Sequence, residues 1–135
     1  MSRLRSATAG AGAATAWALL EPLDRRVFGY GYSDVAVLGK LVTRGPHWRA
    51  VGLVFHAANG ALFGLAYHEA RRRFGWSASR LAMLEHVALF PLSAVVDRRH
   101  PARGTDGVPK LMTARAFAQA TVRHALFGAL LGRAA

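Results

Sequence analysis

Residues 48–68 have the sequence WRAVGLVFHAANGALFGLAYH, and the central 17 of them (51–67) carry no Asp, Glu, Lys or Arg. At ~1.5 Å of rise per residue, a helix over this stretch reaches across the ~30 Å hydrocarbon layer of a bilayer. Trp48 and Tyr67 stand near its two ends, where aromatic side chains favour the membrane interface. The stretch therefore predicts a membrane-spanning helix.

Small residues recur every four positions along this helix and along the last apolar segment. The first ridge is Gly52, His56, Gly60, Gly64 and His68, and the second is Ala116, Ala120, His124, Gly128 and Gly132. Small residues let helix backbones approach closely, which favours packing in lipid. We expect Gly52, Gly60, Gly64, Gly128 and Gly132 to lie in helix contacts, within one chain or between copies in a homo-oligomer.

Three further apolar segments, 7–20, 81–96 and 116–131, accompany the central one. A basic start before an apolar run also fits a signal peptide, but the later segments favour a retained first helix. Helices are predicted over 7–21, 34–43, 48–70, 80–97 and 111–132, within a single helical membrane domain, 1–135. The predicted fold is all-α: four short transmembrane helices in an antiparallel bundle, plus a short interfacial amphipathic helix over 34–43. Ser33 or Asp34 would cap that short helix.

The net charge of +11 indicates a polyanionic neighbour, either anionic lipid or nucleic acid. Sixteen of the 18 basic residues are Arg and Ala and Gly are abundant, which is typical of a GC-rich bacterial genome. The predicted location is the bacterial plasma (inner) membrane, multi-pass, and the distribution of charge slightly favours cytoplasmic termini. Arg71, Arg72 and Arg73 are the candidate contacts for anionic lipid headgroups. Nucleic acid is disfavoured because the basic residues lie mainly in linkers.

Ionisable and amide side chains interrupt the apolar segments. Such groups are costly in hydrocarbon, so they are expected to face the bundle interior and to pair. The predicted intramembrane polar cluster consists of Glu21, His56, Asn59, Glu85, His86, Asp97, Arg115, Arg123 and His124. In an antiparallel arrangement Glu21, His56, Asp97 and Arg115 would share one layer, with Asp97 paired to Arg115 and Glu21 paired to His56 or an Arg. The cluster is structural, or it forms a proton or ion path or a pocket for a lipid headgroup.

Signals for catalysis and for metal binding are weak. The chain has no phosphate-binding loop, dinucleotide fingerprint or nucleophile elbow. It has no cysteine, and His56, His86 and His124 do not form ligand pairs spaced within one helix. No catalytic residue, metal or cofactor is therefore predicted, and the question of an enzyme stays open, leaning against one.

The second half of the chain resembles the YagU-like group of small inner-membrane proteins of unknown function. The matching residues are His56 before Phe63-Gly64-Leu-Ala-Tyr67, His86 before Phe90-Pro91-Leu92, Asp97 and its Pro-containing loop, and Arg123-His124-Ala-Leu-Phe127-Gly128. Residues 21–35 also look like uncharacterised actinobacterial membrane proteins. These resemblances imply a helical membrane fold and carry no established activity.

Three functional hypotheses remain. The first is a small integral membrane protein with a structural, accessory or transport-like role and a buried polar cluster. The second is a soluble, basic, helical domain that binds nucleic acid, which the sequence pI of about 11.7 favours. The third is a membrane enzyme acting on a lipid substrate, with His and carboxylate groups as acid and base.

Overall fold

A computed structural model describes residues 2–135, and within that range the chain is helical with no β-strand. The helices are α1 (Arg3–Phe28), α2 (Asp34–Val42), α3 (Trp48–Phe74), α4 (Ala78–Leu89), α5 (Ser93–Arg99) and α6 (Ala114–Ala134), with a 3-10 turn at Phe90–Leu92. The predicted all-helical fold is confirmed. The 3-10 turn joins α4 to α5 at Pro91, so that Ala78–Arg99 runs on as one rod.

Helix α1 extends well beyond its predicted bounds of 7–21. Ser2 caps it by accepting a hydrogen bond from the Arg5 backbone N–H, and Gly29, at φ 58°, ends it in the left-handed conformation. Pro22, which directly follows the predicted end of the helix at residue 21, lies inside the helix. Proline removes one backbone hydrogen bond, so the helix continues only where other interactions hold the last two turns. Those interactions come from Glu21 and Asp24, as described below.

Helices α1 and α3 pack antiparallel with their backbones in close contact. A Cβ atom built on Gly64 would lie 2.0 Å from the Ser6 carbonyl oxygen, and one built on Gly60 would lie 2.5 Å from that of Gly10. On the same ridge, Gly52 faces the backbone of Val35 in α2. Three of the predicted packing glycines therefore lie where one helix backbone touches another.

The Ala78–Arg99 rod packs against α6. Gly128 of α6 lies against the backbone of Ser79, and a Cβ on Gly132 would meet Ala78 at an ordinary van der Waals distance of 3.6 Å. Helix α6 begins at Ala114 rather than at 111, because Thr113 caps it and because the Asp97 carboxylate accepts hydrogen bonds from the backbone N–H groups of Leu111 and Met112.

Helix α2 lies across the end of the bundle that carries the loop 100–113. Ser33, one of the two predicted caps, accepts a hydrogen bond from the Ala36 N–H. Ala36 packs with Ala102 and Val108 of that loop. The predicted helix packs through Ala36 and Gly39 while Leu41 and Val42 are exposed, because close backbone contact requires the small residues rather than the large ones.

Two helical rods are long and apolar enough to cross a membrane, Trp48–Phe74 and Ala78–Arg99, rather than the four expected within residues 2–135. Helices α1 and α6 fall short because Ala and Gly, together with Arg and other polar residues, lower their mean hydropathy. Only 33% of the apolar window in the first rod and 11% in the second are buried. The core helix of a soluble protein would be mostly buried, so these two rods present an apolar surface that the chain itself does not cover.

The close α1–α3 contact makes a prediction about glycine substitutions. Gly64→Ala should destabilise the fold by about 1–3 kcal/mol, because the new methyl group overlaps the Ser6 backbone. Gly12→Ala is the matched control: it lies on the same helix pair with no atom near its would-be Cβ, and should stabilise the helix by up to ~1 kcal/mol. Thermal unfolding in detergent, followed by circular dichroism, measures both. Equal shifts for the two variants would contradict the close backbone contact.

Candidate functional site

Arg123 is the centre of a buried ion network that joins three helices. Its side chain projects from α6 and is 3% exposed. The guanidinium forms a two-pronged contact with the Asp24 carboxylate of α1, with Nη2 2.7 Å from Oδ1 and Nε bonded to Oδ2. Its Nη1 donates to Asp34 Oδ2 of α2 at 2.8 Å. Because one cation bridges two carboxylates on separate helices, its position fixes α1, α2 and α6 relative to one another.

Aromatic rings and a carbonyl complete the surroundings of the guanidinium. Arg123 Nη2 also donates to the Tyr32 carbonyl oxygen at 2.9 Å, and the guanidinium lies over the rings of Tyr32 and Trp17, at 4.7 and 5.5 Å. Burial and the neighbouring Asp34 carboxylate hold the pKa of the Tyr32 phenol well above its usual value. The phenol therefore stays protonated and donates its hydrogen bond to Asp34.

Glu21 anchors the start of α2 to α1. Its carboxylate accepts a hydrogen bond from the Ser33 hydroxyl at 2.5 Å and another from the Asp34 backbone N–H at 2.8 Å. A carboxylate at a helix N-terminus satisfies free N–H groups and interacts favourably with the helix dipole. The predicted partner of Glu21 was His56 or an arginine. The structure places Arg123 Nη1 3.8 Å from Glu21, so the arginine is the nearer of the two alternatives.

A cavity of about 190 Å³ lies beside the network, among α1, α2, α3, α4 and α6. Its polar lining comes from Trp17, Asp34, His56, Asn59, Glu85 and His124, and its apolar lining from Ala14, Val37, Leu38, Gly60, Phe63, Leu89 and Phe127. Four members of the predicted polar cluster, His56, Asn59, Glu85 and His124, therefore share one cavity.

Two histidines stack on the wall of the bundle next to this cavity. The rings of His86 and His124 lie 4.7 Å apart. Thr121 donates its hydroxyl hydrogen to the Phe117 carbonyl, so it accepts from His86, and the His86 Nε2 carries a hydrogen. His124 donates from Nδ1 to the Ala120 carbonyl at 2.7 Å, and its Nε2 lies 4.0 Å from a Glu85 oxygen. With Nδ1 donating to the backbone, Nε2 is the ring nitrogen of His124 that faces Glu85.

The predicted layer of Glu21, His56, Asp97 and Arg115 does not assemble. Asp97 binds backbone N–H groups of the loop before α6, at 2.5 and 2.8 Å, and not Arg115. Arg115 is exposed and forms no ion pair within residues 2–135. The expected Asp97–Arg115 pair is wrong because α6 starts three residues later than predicted, and this places Arg115 in its exposed first turn.

The main partners of Arg123 were absent from the predicted site. Asp24 and Tyr32 lie in a segment taken as a linker, Asp34 was considered only as a cap, and Gln119 donates to Asp24 at 2.9 Å. A usable signal was present: Gln119 and Arg123 are four residues apart on one face of α6, so both side chains require partners at the same depth.

Within residues 2–135 no three His, Asp or Glu side chains are grouped to hold a metal ion. Comparison of the chain with protein-family models, with curated proteins and with solved structures finds no match. The likeness to YagU-like proteins therefore stays an expectation from the sequence.

Removing the central cation tests the network. Arg123→Leu should destabilise the fold by about 3–5 kcal/mol, because it leaves the two partly buried carboxylates of Asp24 and Asp34 without their cation. Arg115→Leu removes an exposed arginine from the same helix and should change stability by no more than about 0.5 kcal/mol. Unfolding of both variants in detergent measures the difference. Similar losses from the two would show that Arg123 does not join the helices.

Proposed function

We propose that this chain is a small integral membrane protein with a structural or accessory role. In this proposal α3 and the Ala78–Arg99 rod cross the bilayer, and α1 and α6 pack beside them. The observation that carries the proposal is an inverted distribution of polarity: large apolar side chains cover the exterior, and the ionised groups at mid-length are paired inside.

The apolar exterior follows the helices that are long enough to span. Val54, Phe55, Leu62 and Leu65 are exposed on α3, and Leu84, Val87, Leu89, Leu92 and Val95 are exposed along the Ala78–Arg99 rod. Soluble monomers rarely expose so much contiguous apolar surface, since water disfavours it. Lipid removes that cost, and this supports the membrane location.

The charged groups lie at the two ends of the bundle or in its interior. Arg3 and Arg5, at the N-terminal end of α1, contact the C-terminal ends of α3 and α6. Arg3 pairs with Glu69, and Arg5 donates a hydrogen bond to the Ala134 carbonyl. At the other end Arg25 pairs with Asp106, and this contact holds the pKa of the Asp106 carboxyl below its usual value. Between the ends, Arg123 is enclosed by carboxylates, as expected for a cation at membrane depth.

The end of the bundle near Glu69 is the candidate surface for anionic lipid. Arg3, Arg72 and Arg73 all lie within 4 Å of the single Glu69 carboxylate, at 2.7, 3.0 and 3.8 Å, so positive charge remains in excess. Arg71 donates to the Tyr67 hydroxyl at 3.2 Å. Basic groups next to a bilayer attract anionic headgroups by about 1 kcal/mol each.

The same distribution disfavours the nucleic-acid hypothesis. Basic side chains are divided between two opposite ends of the bundle, whereas a binding protein concentrates them on one face. The lipid-enzyme hypothesis draws support only from the cavity residues, which include the Asp34 and Glu85 carboxylates and two histidines.

Fractionation tests the location directly. The tagged chain should stay in membranes washed with carbonate at high pH and be released by detergent. Release by salt or carbonate would contradict the proposal. Steeply salt-dependent binding to DNA by such a released protein would favour the nucleic-acid hypothesis.

A charged residue introduced on the exterior shows whether lipid or water surrounds the protein. Leu62 is 65% exposed at mid-length of α3 and Leu4 is 75% exposed near the start of α1. Leu62→Arg should reduce membrane retention and cost about 2.5–3.5 kcal/mol, whereas Leu4→Arg, at the bundle end, should be tolerated. Retention after carbonate washing and thermal stability report the result. In water both substitutions would be harmless, so tolerance of Leu62→Arg would contradict the proposal.

Replacement of Arg71, Arg72 and Arg73 by Gln should weaken the response to anionic lipid. Added phosphatidylglycerol should raise the unfolding midpoint of the natural chain in neutral detergent more than that of the triple variant. The matched control replaces Arg98, Arg99 and Arg103 at the opposite end. If both triple variants lose the same amount of the midpoint increase caused by phosphatidylglycerol, a preferred lipid surface at Arg71–Arg73 is contradicted.

A further inference from the structure

We infer that the cavity beside Arg123 binds the hydroxyl head of an uncharged amphiphile, either an isoprenoid alcohol or an acylglycerol. The inference rests on the proposed function for one point only, namely that the ligand arrives from the bilayer. The site itself follows from the cavity and from the polar atoms that line it.

Two buried polar atoms in the lining have no hydrogen-bond partner within residues 2–135. They are Trp17 Nε1 and His56 Nε2. The two side chains are 5% and 9% exposed, and both line the cavity of about 190 Å³. Buried polar groups are nearly always hydrogen-bonded, so two unpartnered ring nitrogens on one cavity point to a polar group that belongs there.

The lining defines the chemistry of that group. The Trp17 indole can only donate, so it needs an acceptor oxygen. Glu85, when ionised, can only accept, and the His124 Nε2 beside it lies beyond hydrogen-bond distance at 4.0 Å. A hydroxyl group can accept from the indole and donate its hydrogen to the unpartnered His56 Nε2 or to the Glu85 carboxylate. An anionic head would meet the Asp34 and Glu85 carboxylates, and an ammonium head would leave the indole unpartnered.

The apolar lining and the position of the mouth indicate an attached hydrocarbon tail. Phe63, Phe127 and Leu38 line the cavity, and exposed Asn59 of α3 and Leu89 of α4 place its mouth between these helices. A volume of 190 Å³ is below the range of ~300–1,000 Å³ that whole drug-sized ligands occupy. The cavity therefore suits a head and the first carbons of a chain, while the rest lies along the apolar exterior.

Calorimetry on the purified full chain in detergent tests the inference. The probes are farnesol, its hydrocarbon counterpart farnesene, and monomyristoylglycerol. Farnesol or the glycerol ester should bind saturably, and farnesene at least tenfold more weakly because it lacks the hydroxyl group. The tighter of the two hydroxyl probes identifies the source as isoprenoid or acyl.

Two substitutions locate the binding. Leu89→Trp fills the mouth and should weaken binding at least tenfold. Leu84→Trp changes a residue of matching exposure, 47% against 49%, that does not line the cavity, and should leave binding unchanged. His56→Phe keeps an aromatic ring against Trp17, at present 5.8 Å between centroids, and removes the unpartnered nitrogen. It should lower affinity about two- to tenfold without lowering the unfolding midpoint of the ligand-free protein.

Equal affinity for farnesol and farnesene, binding that does not saturate, or equal effects of the two tryptophan substitutions would overturn the inference. These outcomes are separable from the fate of the proposed function. If carbonate releases the chain and binding still requires the hydroxyl group, the membrane location is contradicted and the binding site is supported. A membrane-retained chain without such binding would overturn the site alone, and water would then be the partner of Trp17 and His56.

Discussion

The guanidinium of Arg123 is enclosed by carboxylates from two other helices, and this enclosure fixes how α1, α2 and α6 meet. Arg123 is buried at mid-length of α6, where an unpaired cation would be prohibitively costly. Its contacts with Asp24 and Asp34 hold α1 beyond Pro22 and place the N-terminus of α2, which Glu21 then caps. The contacts of Arg123 with these two carboxylates therefore set the length of α1, the position of α2 and one wall of the cavity.

Close packing of small residues provides the second constraint. Gly60 and Gly64 bring α3 onto α1, and Gly128 brings α6 onto α4. The core between these helices is small, and many large apolar side chains lie on the exterior. This arrangement suits a lipid environment, where apolar exposure costs nothing and backbone proximity contributes packing. Helices α3 and α4 make little contact with each other, which leaves room between them for the mouth of the cavity.

The sequence predicted the features that depend on local pattern. Helices over 34–43 and 48–70 lie close to the observed α2 and α3, because capping residues and uninterrupted apolar runs are local signals. The observed end of α1 differs from the prediction because a glutamate and a proline at 21–22 are typical of a helix end. The last turns are held by contacts of Glu21 with Ser33 and of Asp24 with Arg123, and the second of these joins residues 99 apart in sequence. Of the site, His56, Asn59, Glu85 and His124 were identified as intramembrane polar residues. Asp24 and Tyr32 were not, because they lie between two predicted helices and local sequence does not show that they contact Arg123, about 90 to 100 residues away.

Spin labels placed on the exterior test most directly whether this bundle lies in lipid. The natural chain has no cysteine, so a single cysteine at Val54, Leu65, Val87 or Val95 carries one label without background. In a reconstituted bilayer, labels at these positions should collide more with dissolved oxygen than with a water-soluble nickel complex, with the largest ratio near mid-length of the helices. High nickel accessibility at all four positions would show that the apolar exterior faces water, and would contradict the account.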